Sequence, residues 1–297
     1  MNQEIKQAQQ AIAEGRHSAD ALLRSDRLPN IWCPGCGLGI AVKAYVRAME
    51  ELKDEIPLRK QVCVSGIGCS GRIAGYVNID SYHTTHGRPI PFAIGLKLGN
   101  PKLSVTVFSG DGDLLTIGGN HFIHAIRRNI DINVFLVNNF TYGMTGGQFG
   151  ASTPLGAIST TTPYGNFEDG MNVPALAEVL GAPHVARWTT LHVRQLGNSI
   201  KRAFRKSGFS LVEIISPCPP GFGRKNLFRT GNDMMEYFLQ ESVLNPEVDL
   251  REAGLPVQPG KPIIVGDFID RDRSSYLERE REFLRKAGLV DEKLITA

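Results

Sequence analysis

An acidic motif and an amide motif each follow an apolar run of this chain. The motif GDGD occupies residues 110–113, and the pair NN occupies residues 138–139. Asp111 and Asn139 are 28 residues apart, the length of one helix and one strand, so a βαβ crossover would return both side chains to neighbouring strand ends. Carboxylate and amide oxygens are hard ligands that suit Mg²⁺. The spacing therefore predicts a magnesium site, whose glycines let the backbone come close to a phosphate group.

Four of the five cysteines lie in loop-like sequence. Cys33 and Cys36 belong to WCPGCG, Cys69 to GIGCSG and Cys218 to PCPPG, whereas Cys63 sits inside an apolar run and is predicted to be buried in the core. Four cysteines are the number that a [4Fe–4S] cluster or a structural zinc site requires, and their spacing does not choose between the two. Glycines beside the loop cysteines favour a cluster, because its sulfides accept backbone N–H bonds.

Two other motifs are contained in the same loops. WCPGC resembles the WCxxC motif of thioredoxins, but the sequence DRLPNI in front of it does not read as a strand. GIGCSG fits the GxGxxG dinucleotide fingerprint, but the acidic residue expected about 20 positions later is missing. These missing features argue against both alternatives.

The composition is that of an ordinary globular protein, with 42% apolar and 21% charged residues. No apolar run approaches the roughly 18 residues that a membrane span needs, and the polar start MNQEIKQAQQAIAEGRH has no signal-peptide core. A net charge of +3 is too small to indicate nucleic-acid binding, although it would permit an acidic protein partner to approach. We therefore expect a cytoplasmic protein without disulfides that binds neither nucleic acid nor membrane.

Short apolar runs alternate with helical stretches, which predicts an α/β fold: a mostly parallel sheet flanked by helices. The predicted strands are Gln61–Ser65, Leu103–Ser109, Ile132–Asn138 and Phe209–Ser216. The predicted helices span residues 38–53, 89–99, 116–128, 173–180 and 191–206. Because ligands collect at the carboxyl ends of parallel strands, the motifs that follow the four runs are expected to form one composite site at one sheet edge.

The pattern divides the chain into three parts. We expect an N-terminal segment over residues 1–30, the binding domain over 31–230 and a C-terminal extension over 231–297. The extension contains one predicted helix, the Pro-rich loop LPVQPGKP and the charged stretch DRDRSSYLEREREFLRK. We expect it to pack on the domain or on a partner and not to form a second catalytic domain.

Together these motifs resemble the β subunit of 2-oxoacid:ferredoxin oxidoreductases, in particular the 2-oxoglutarate synthase branch. The strings WCPGCGLGI, SGIGCSGRI, HTTHGRPIPFAIGLKLGNP and SGDGDLLTIGGNHFIHAIRRNIDINVFLVNNFTYGMTGGQ carry the resemblance, which extends over roughly residues 30–220. It implies the thiamine-diphosphate-binding fold, with thiamine diphosphate and Mg²⁺ bound through Asp111, Asn139 and Thr141. It also implies one [4Fe–4S] cluster on the loop cysteines, namely Cys33, Cys36, Cys69 and Cys218.

Further polar residues near these motifs are candidates for the site. The expected cofactor-binding set is Gly110, Asp111, Gly112, Asp113, Asn139, Thr141, His86 and Gly143. His83 and His86, in HTTHGR, are candidates to contact the diphosphate or to shuttle protons, and Arg72 is a candidate to bind a substrate carboxylate as a fixed cation. The alternatives are a solvated loop histidine for one of the two, and a surface arginine.

The resemblance implies a reversible reaction in which a 2-oxoacid, coenzyme A and oxidised ferredoxin give acyl-coenzyme A, CO₂ and reduced ferredoxin. Thiamine enzymes also need a glutamate from a second α/β domain, and this chain is too short to contain both domains. We therefore expect an α subunit as partner, in a heterodimer or a dimer of heterodimers. Three alternatives stay open: a subunit specific for pyruvate or a broad range of 2-oxoacids, half of a non-redox thiamine lyase or decarboxylase, and a structural zinc module.

Overall fold

One eight-stranded sheet runs through the computed structural model, which describes residues 3–15, 17–258 and 260–289. The strands are β1 (Gln61–Ser65), β2 (Asp80–His83), β3 (Ser104–Gly110), β4 (Asn133–Asn138), β5 (His184–Thr189), β6 (Ser210–Ile215), β7 (Ser242–Leu244) and β8 (Ile263–Asp270). Their spatial order is β2-β1-β3-β4-β6-β5-β8-β7. Within the described ranges every pair is parallel except β5 with β8, so the predicted mostly parallel sheet is confirmed.

Eight α-helices lie within the described residues, and most of them pack on the two faces of the sheet. They are α1 (Gln3–Ala13), α2 (Leu38–Glu51), α3 (Pro89–Gly99), α4 (Gly119–Arg128), α5 (Val173–Val179), α6 (Val193–Arg205), α7 (Gly231–Glu241) and α8 (Tyr276–Lys286). A π-helical turn, Gly112–Ile117, connects β3 to α4. The four predicted strands and five predicted helices are therefore confirmed, with shifts of a few residues at their ends. No helix of the described chain has an apolar stretch long enough to cross a membrane.

Alternating side chains of the buried strands build two cores. Tyr45 of α2 contacts Phe108 of β3 and Phe135 of β4, with ring centroids 5.7 and 5.6 Å apart, and α6 packs beside α2 on this face. Cys63 of β1 lies fully buried in the same core, as predicted. The next residues along β3 and β4 point to the opposite face, where Val107 and other aliphatic side chains pack against α3, α4 and α5. Burial on both faces explains why these strands read as continuous apolar runs.

The C-terminal part contains more regular structure than the single predicted helix. Thr230 and Asp233 form a capping box that begins α7, and Ser275 and Glu278 form another that begins α8 within the charged stretch. Strands β7 and β8 extend the sheet beyond β5. The proposed domain boundaries stay predictions, and the last eight residues of the predicted extension lie outside the described residues.

Candidate functional site

Loops that follow β1, β3 and β4, together with His86 after β2, line one cleft. The cleft lies at the carboxyl ends of these parallel strands, where ligands bind in such sheets. All eight members of the expected cofactor-binding set line it: Gly110, Asp111, Gly112, Asp113, Asn139, Thr141, His86 and Gly143. Cys69 lines the same cleft.

Three oxygen atoms meet at the base of this cleft. The side-chain amide of Asn139 lies 3.3 Å from Asp111 Oδ1 and 2.6 Å from the carbonyl oxygen of Thr141. With the amide oxygen turned inward, three acceptors face one another, an arrangement that a cation stabilises. With the amide turned by half a rotation, its nitrogen donates to both oxygens. A cation bound at this point would be stabilised by the first orientation, in which the Asn139 oxygen faces the other two acceptors.

Asp111 is held in a nearly water-free position, with 3% of its surface exposed. Burial raises the pKa of its carboxyl to about 6, while the hydroxyl of Ser152, which donates to Oδ2, lowers the pKa. A buried carboxylate with a raised pKa is poorly stabilised as an anion by the protein alone. A bound cation would supply the missing charge stabilisation.

Asp113 uses its carboxylate to connect loops of the protein. Oδ1 accepts hydrogen bonds from the backbone N–H groups of Ile67 (3.2 Å) and Gly87 (2.8 Å) and lies 2.5 Å from His86 Nδ1, and Oδ2 accepts from Ser109 Oγ (2.8 Å). Asp113 is 2% exposed. It therefore fixes the loops after β1 and β2 against the end of β3 and orients the His86 ring at the cleft wall.

The four loop cysteines come together beside this cleft. Trp32 Nε1 donates to the carbonyl of Cys69 (2.8 Å), and Gly37 N donates to the carbonyl of Pro217 (3.3 Å), so the three cysteine loops contact one another. Burial, with a smaller effect from the charges of Cys218, Cys69 and Cys33, raises the pKa of the Cys36 thiol to about 12. The described residues contain no group of three or more His, Cys, Asp or Glu side chains arranged to hold a single metal ion.

Cys218 connects the cysteine loops to the oxygen site. A Cβ atom added to Gly143 would lie 3.3 Å from Cys218 Sγ, 3.5 Å from Asn139 Nδ2 and 3.7 Å from Cys69 Sγ. Burial raises the pKa of the Cys218 thiol to about 11, and the charge of Asp111 acts in the same direction. The sulfur atoms and the oxygen ligands thus lie at the same edge of the sheet.

Two of the three candidate catalytic residues lie away from the cleft. Arg72 is exposed on the turn that follows Cys69, and His83 is exposed with its Nδ1 atom 2.9 Å from the carbonyl of Gly71. Neither is among the residues that line the cleft, whereas His86 is. Within this chain, the structure therefore brings only His86 of the three to the proposed cofactor.

Tyr142 and Ser152 support the site but were not expected from the sequence. The hydroxyl of Tyr142 donates to the carbonyl of Gly112 (3.2 Å), and its ring packs edge-on to His86 at 6.0 Å. Tyr142 follows the NN motif closely, so proximity to Asn139 could have indicated it. Ser152 lies in the uncharged sequence GASTPL, which carries no signal for a buried partner of Asp111.

Comparisons with known proteins agree with this geometry. A family described as "Thiamine pyrophosphate enzyme, C-terminal TPP binding domain" matches residues 66–214. The 2-oxoglutarate synthase subunit KorB of Methanocaldococcus jannaschii is 47% identical over 91% of this chain and 98% of that protein. The chain belongs to the KorB family. Among KorB proteins, that of Methanothermobacter thermautotrophicus is 49% identical over 91% of both chains.

This chain is also similar in fold to a solved structure. The 2-oxoglutarate:ferredoxin oxidoreductase of Magnetococcus marinus, with 2-oxoglutarate, coenzyme A and succinyl-CoA bound, superposes with a TM-score of 0.80 at 30% identity and 94% coverage of both chains. The predicted relation to β subunits of 2-oxoacid:ferredoxin oxidoreductases is therefore confirmed, as is the thiamine-diphosphate-binding fold.

Proposed function

We propose that this KorB-family chain is the thiamine-diphosphate-binding β subunit of a 2-oxoglutarate:ferredoxin oxidoreductase. The reaction converts 2-oxoglutarate, coenzyme A and two oxidised ferredoxins into succinyl-CoA, CO₂, two reduced ferredoxins and a proton. The observation that carries the proposal is the meeting of an oxygen-ligand pocket and four cysteines at one edge of the sheet. The names of the relatives and the ligands in the solved structure support the choice of substrate.

Mg²⁺ with thiamine diphosphate fits the oxygen pocket. Asp111 Oδ1, the amide oxygen of Asn139 and the carbonyl of Thr141 would hold the ion, because the amide oxygen completes a set of three acceptors when it faces the other two. Gly112 lets the Tyr142 ring pack against this loop, because a Cβ atom there would lie 2.6 Å from that ring. When bound, the cofactor supplies the nucleophilic carbon and the electron sink for decarboxylation.

This chain's own residues prepare the pocket for that chemistry. Asp113 sets the orientation of His86, which holds a polar ring at the cleft wall where a diphosphate would bind. Tyr142 bridges the segments after β3 and β4 by its bond to Gly112, so the ligand-bearing loops keep their separation. Burial of Asp111 excludes the water that would compete for the cation.

A [4Fe–4S] cluster fits the cysteine loops, and we propose that Cys33, Cys36, Cys69 and Cys218 would hold it. The raised thiol pKa values of Cys36 and Cys218 favour uncharged thiols in the metal-free chain, so iron binding would provide the positive charge that thiolates need. A cluster transfers single electrons, the form in which ferredoxin accepts them. Zinc on the same sulfurs is the alternative that metal analysis separates.

The proposal requires an α subunit, which would supply the glutamate for cofactor activation and part of the contacts to coenzyme A. Coexpression of both subunits should give an enzyme that reduces ferredoxin with 2-oxoglutarate and coenzyme A, whereas the purified β chain should be inactive. A substrate panel that includes pyruvate tests the choice of 2-oxoacid. Turnover by the β chain without a partner, or no activity of the complex with any 2-oxoacid, would contradict the proposal.

Metal analysis under anaerobic conditions tests the cluster. Four irons per β chain, lost in a Cys218→Ala variant but retained in Cys63→Ala, are expected, because Cys63 lies in the core and not in the loops. One zinc per β chain would favour the zinc alternative. If subunit separation leaves all iron with the partner, the cluster belongs to another subunit and the cysteine assignment is wrong.

A further inference from the structure

Ser152 makes a buried contact with the carboxylate of Asp111. Its hydroxyl donates to Oδ2 of Asp111, although the two residues are 41 positions apart. Ser152 is 4% exposed and Asp111 is 3% exposed. The contact therefore persists out of reach of bulk water, which otherwise competes for both groups.

The turn that presents Ser152 is attached to both segments that carry the oxygen ligands. Ala151 N donates to Thr116 Oγ1 (2.9 Å), which lies in the π-helical turn after β3. Thr153 Oγ1 donates to the carbonyl of Phe140 (2.7 Å), next to Thr141 in the loop after β4. The turn closes on itself, because Thr153 N donates to the carbonyl of Gly150 (3.0 Å). Ser152 is thus held in place independently of Asp111.

The two carboxylate oxygens of Asp111 have different partners. Oδ2 is occupied by the Ser152 hydroxyl, and Oδ1 is the oxygen that faces the amide of Asn139 at 3.3 Å. Without the donor on Oδ2, the carboxylate would be held less firmly about its Cβ–Cγ bond, because this terminal torsion has a broad energy profile and the remaining hydrogen bonds come from the backbone at Asp111, Gly112 and Phe140.

We propose that Ser152 is a positioning residue for the Mg²⁺ site, which presents Asp111 Oδ1 to the cation in one fixed orientation. The inference rests on the proposed function, because it assigns a partner to a proposed metal ligand. Residues that hold metal ligands in orientation typically change metal affinity by 10- to 100-fold when they are lost. Ser152 acts through Asp111 and is not itself assigned as a ligand.

Three variants of the coexpressed enzyme test the proposal: Ser152→Ala, Ser152→Cys and, as control, Ser159→Ala. The cysteine is nearly isosteric with serine but is a weak donor, so it separates the hydrogen bond from packing. Ser159 is equally buried, but its hydroxyl contacts only Thr161 and Thr162 of its own loop. Mg²⁺ is titrated in the presence of thiamine diphosphate, and binding is followed by calorimetry and by cofactor retention after desalting.

Both Ser152 variants should raise the apparent Kd for Mg²⁺ by roughly 10- to 100-fold, whereas Ser159→Ala should match the wild type. Saturating Mg²⁺ should restore most of kcat, because the ligands themselves remain. Wild-type Mg²⁺ affinity in both Ser152 variants would overturn the inference and leave the proposed function intact. Thiamine diphosphate retention by the wild type without Mg²⁺ would instead contradict the proposed metal site.

Discussion

Thr141 and Cys218 both lie next to Gly221. A Cβ atom added to this glycine would lie 2.8 Å from Cys218 Sγ and 3.2 Å from Thr141 Cγ2. An added methyl group at Gly221 would therefore be too close both to a residue of the oxygen site and to a sulfur of the cysteine site. A change at Gly221 would thus press on both candidate sites at once.

Alanine at the glycines between the two sites should impair both of them in a graded way. Gly221→Ala should be more severe than Gly143→Ala, because the new Cβ would contact Cys218 Sγ at 2.8 Å in the first and 3.3 Å in the second. We expect lower iron content and a loss of thiamine diphosphate affinity of roughly tenfold or more for Gly221→Ala. Both are measured on the purified αβ enzyme.

Gly39→Ala provides the matched control for this series. Gly39 lies in α2, and a Cβ atom there would meet no atom within 4 Å. The substitution should leave iron content, cofactor affinity and turnover unchanged. If Gly221→Ala and Gly39→Ala have the same iron content, cofactor affinity and turnover, the close packing at Gly221 does not affect function.

Replacement of Asp113 by Asn should loosen the loops that this carboxylate joins. An amide lacks the charge that strengthens the hydrogen bonds from His86, Ile67 and Gly87, and an amide nitrogen in place of Oδ1 would face these buried donors directly. We expect faster hydrogen exchange in residues 66–68 and 85–88 and weaker thiamine diphosphate binding. Asp80→Asn, at an exposed position of β2, should change neither. Equal exchange rates in the two variants would contradict this role of Asp113.

The buried ion pair of Arg187 and Glu213 contacts Asn138 of the amide motif. Glu213 Oε2 accepts from Arg187 Nε (2.7 Å), Glu213 Oε1 accepts from Asn138 Nδ2 (2.8 Å), and both charged residues are 0% exposed. Glu213→Ala would leave the Arg187 charge buried without its partner, which typically costs about 3–5 kcal/mol. We expect a clear drop in the unfolding midpoint of the αβ enzyme in denaturant.

Glu282 supplies the comparison for this ion pair. It pairs with Arg285 and Lys286 on the exposed surface of α8, where solvent screens the interaction. Glu282→Ala should therefore leave the unfolding midpoint nearly unchanged. A Glu213→Ala enzyme with the same midpoint as Glu282→Ala would show that the buried pair contributes nothing to stability.

The stability of the enzyme should fall as the pH drops below about 6.5, in part through His184. Burial in β5 lowers the pKa of this imidazole from 6.5, although Asp267 and Asp270 act in the opposite direction. Between the lowered pKa and 6.5 the unfolded chain binds a proton that the folded chain does not, so unfolding becomes more favourable as the pH falls. Thermal midpoints measured from pH 8 to pH 5.5 should show this decline.

His184→Gln should reduce the pH dependence of the midpoint without abolishing it. Burial also lowers the pKa values of His121 and His192, which keep part of the dependence. Identical slopes in His184→Gln and the wild type would rule out the contribution of His184.

The sequence predicted the central strands because their residues are apolar on both faces, and it predicted the cleft because the motifs follow those strands. It did not predict β2 or β5. Strand β2 reads DSYH and is mostly exposed at the sheet edge, so it has no apolar run. Strand β5 reads HVARWT and is fully buried. Because His184 and Arg187 are polar, the sequence shows no apolar run that would predict a buried strand. In both cases tertiary contacts, not local composition, decide the structure.

The candidate site divides in the same way. Asp111 and Asn139 stand out because acidic and amide residues after apolar runs are unusual, and the loop cysteines stand out by their type. Ser152 has neither signal, because its importance depends on a turn that folds back over the cleft from 41 positions away. The location of Arg72 and His83 outside the cleft was equally hidden, because neighbours in sequence to a motif can point away from it.

Both outer strands of the sheet are short. Strand β2 has four residues, of which three are exposed, and β7 at the other edge has three residues. Edges of this length offer few free N–H and C=O groups, so a neighbouring chain gains little by aligning a strand there. Subunits of this kind should recognise one another through side chains and loops, and their sheets should remain separate when they assemble.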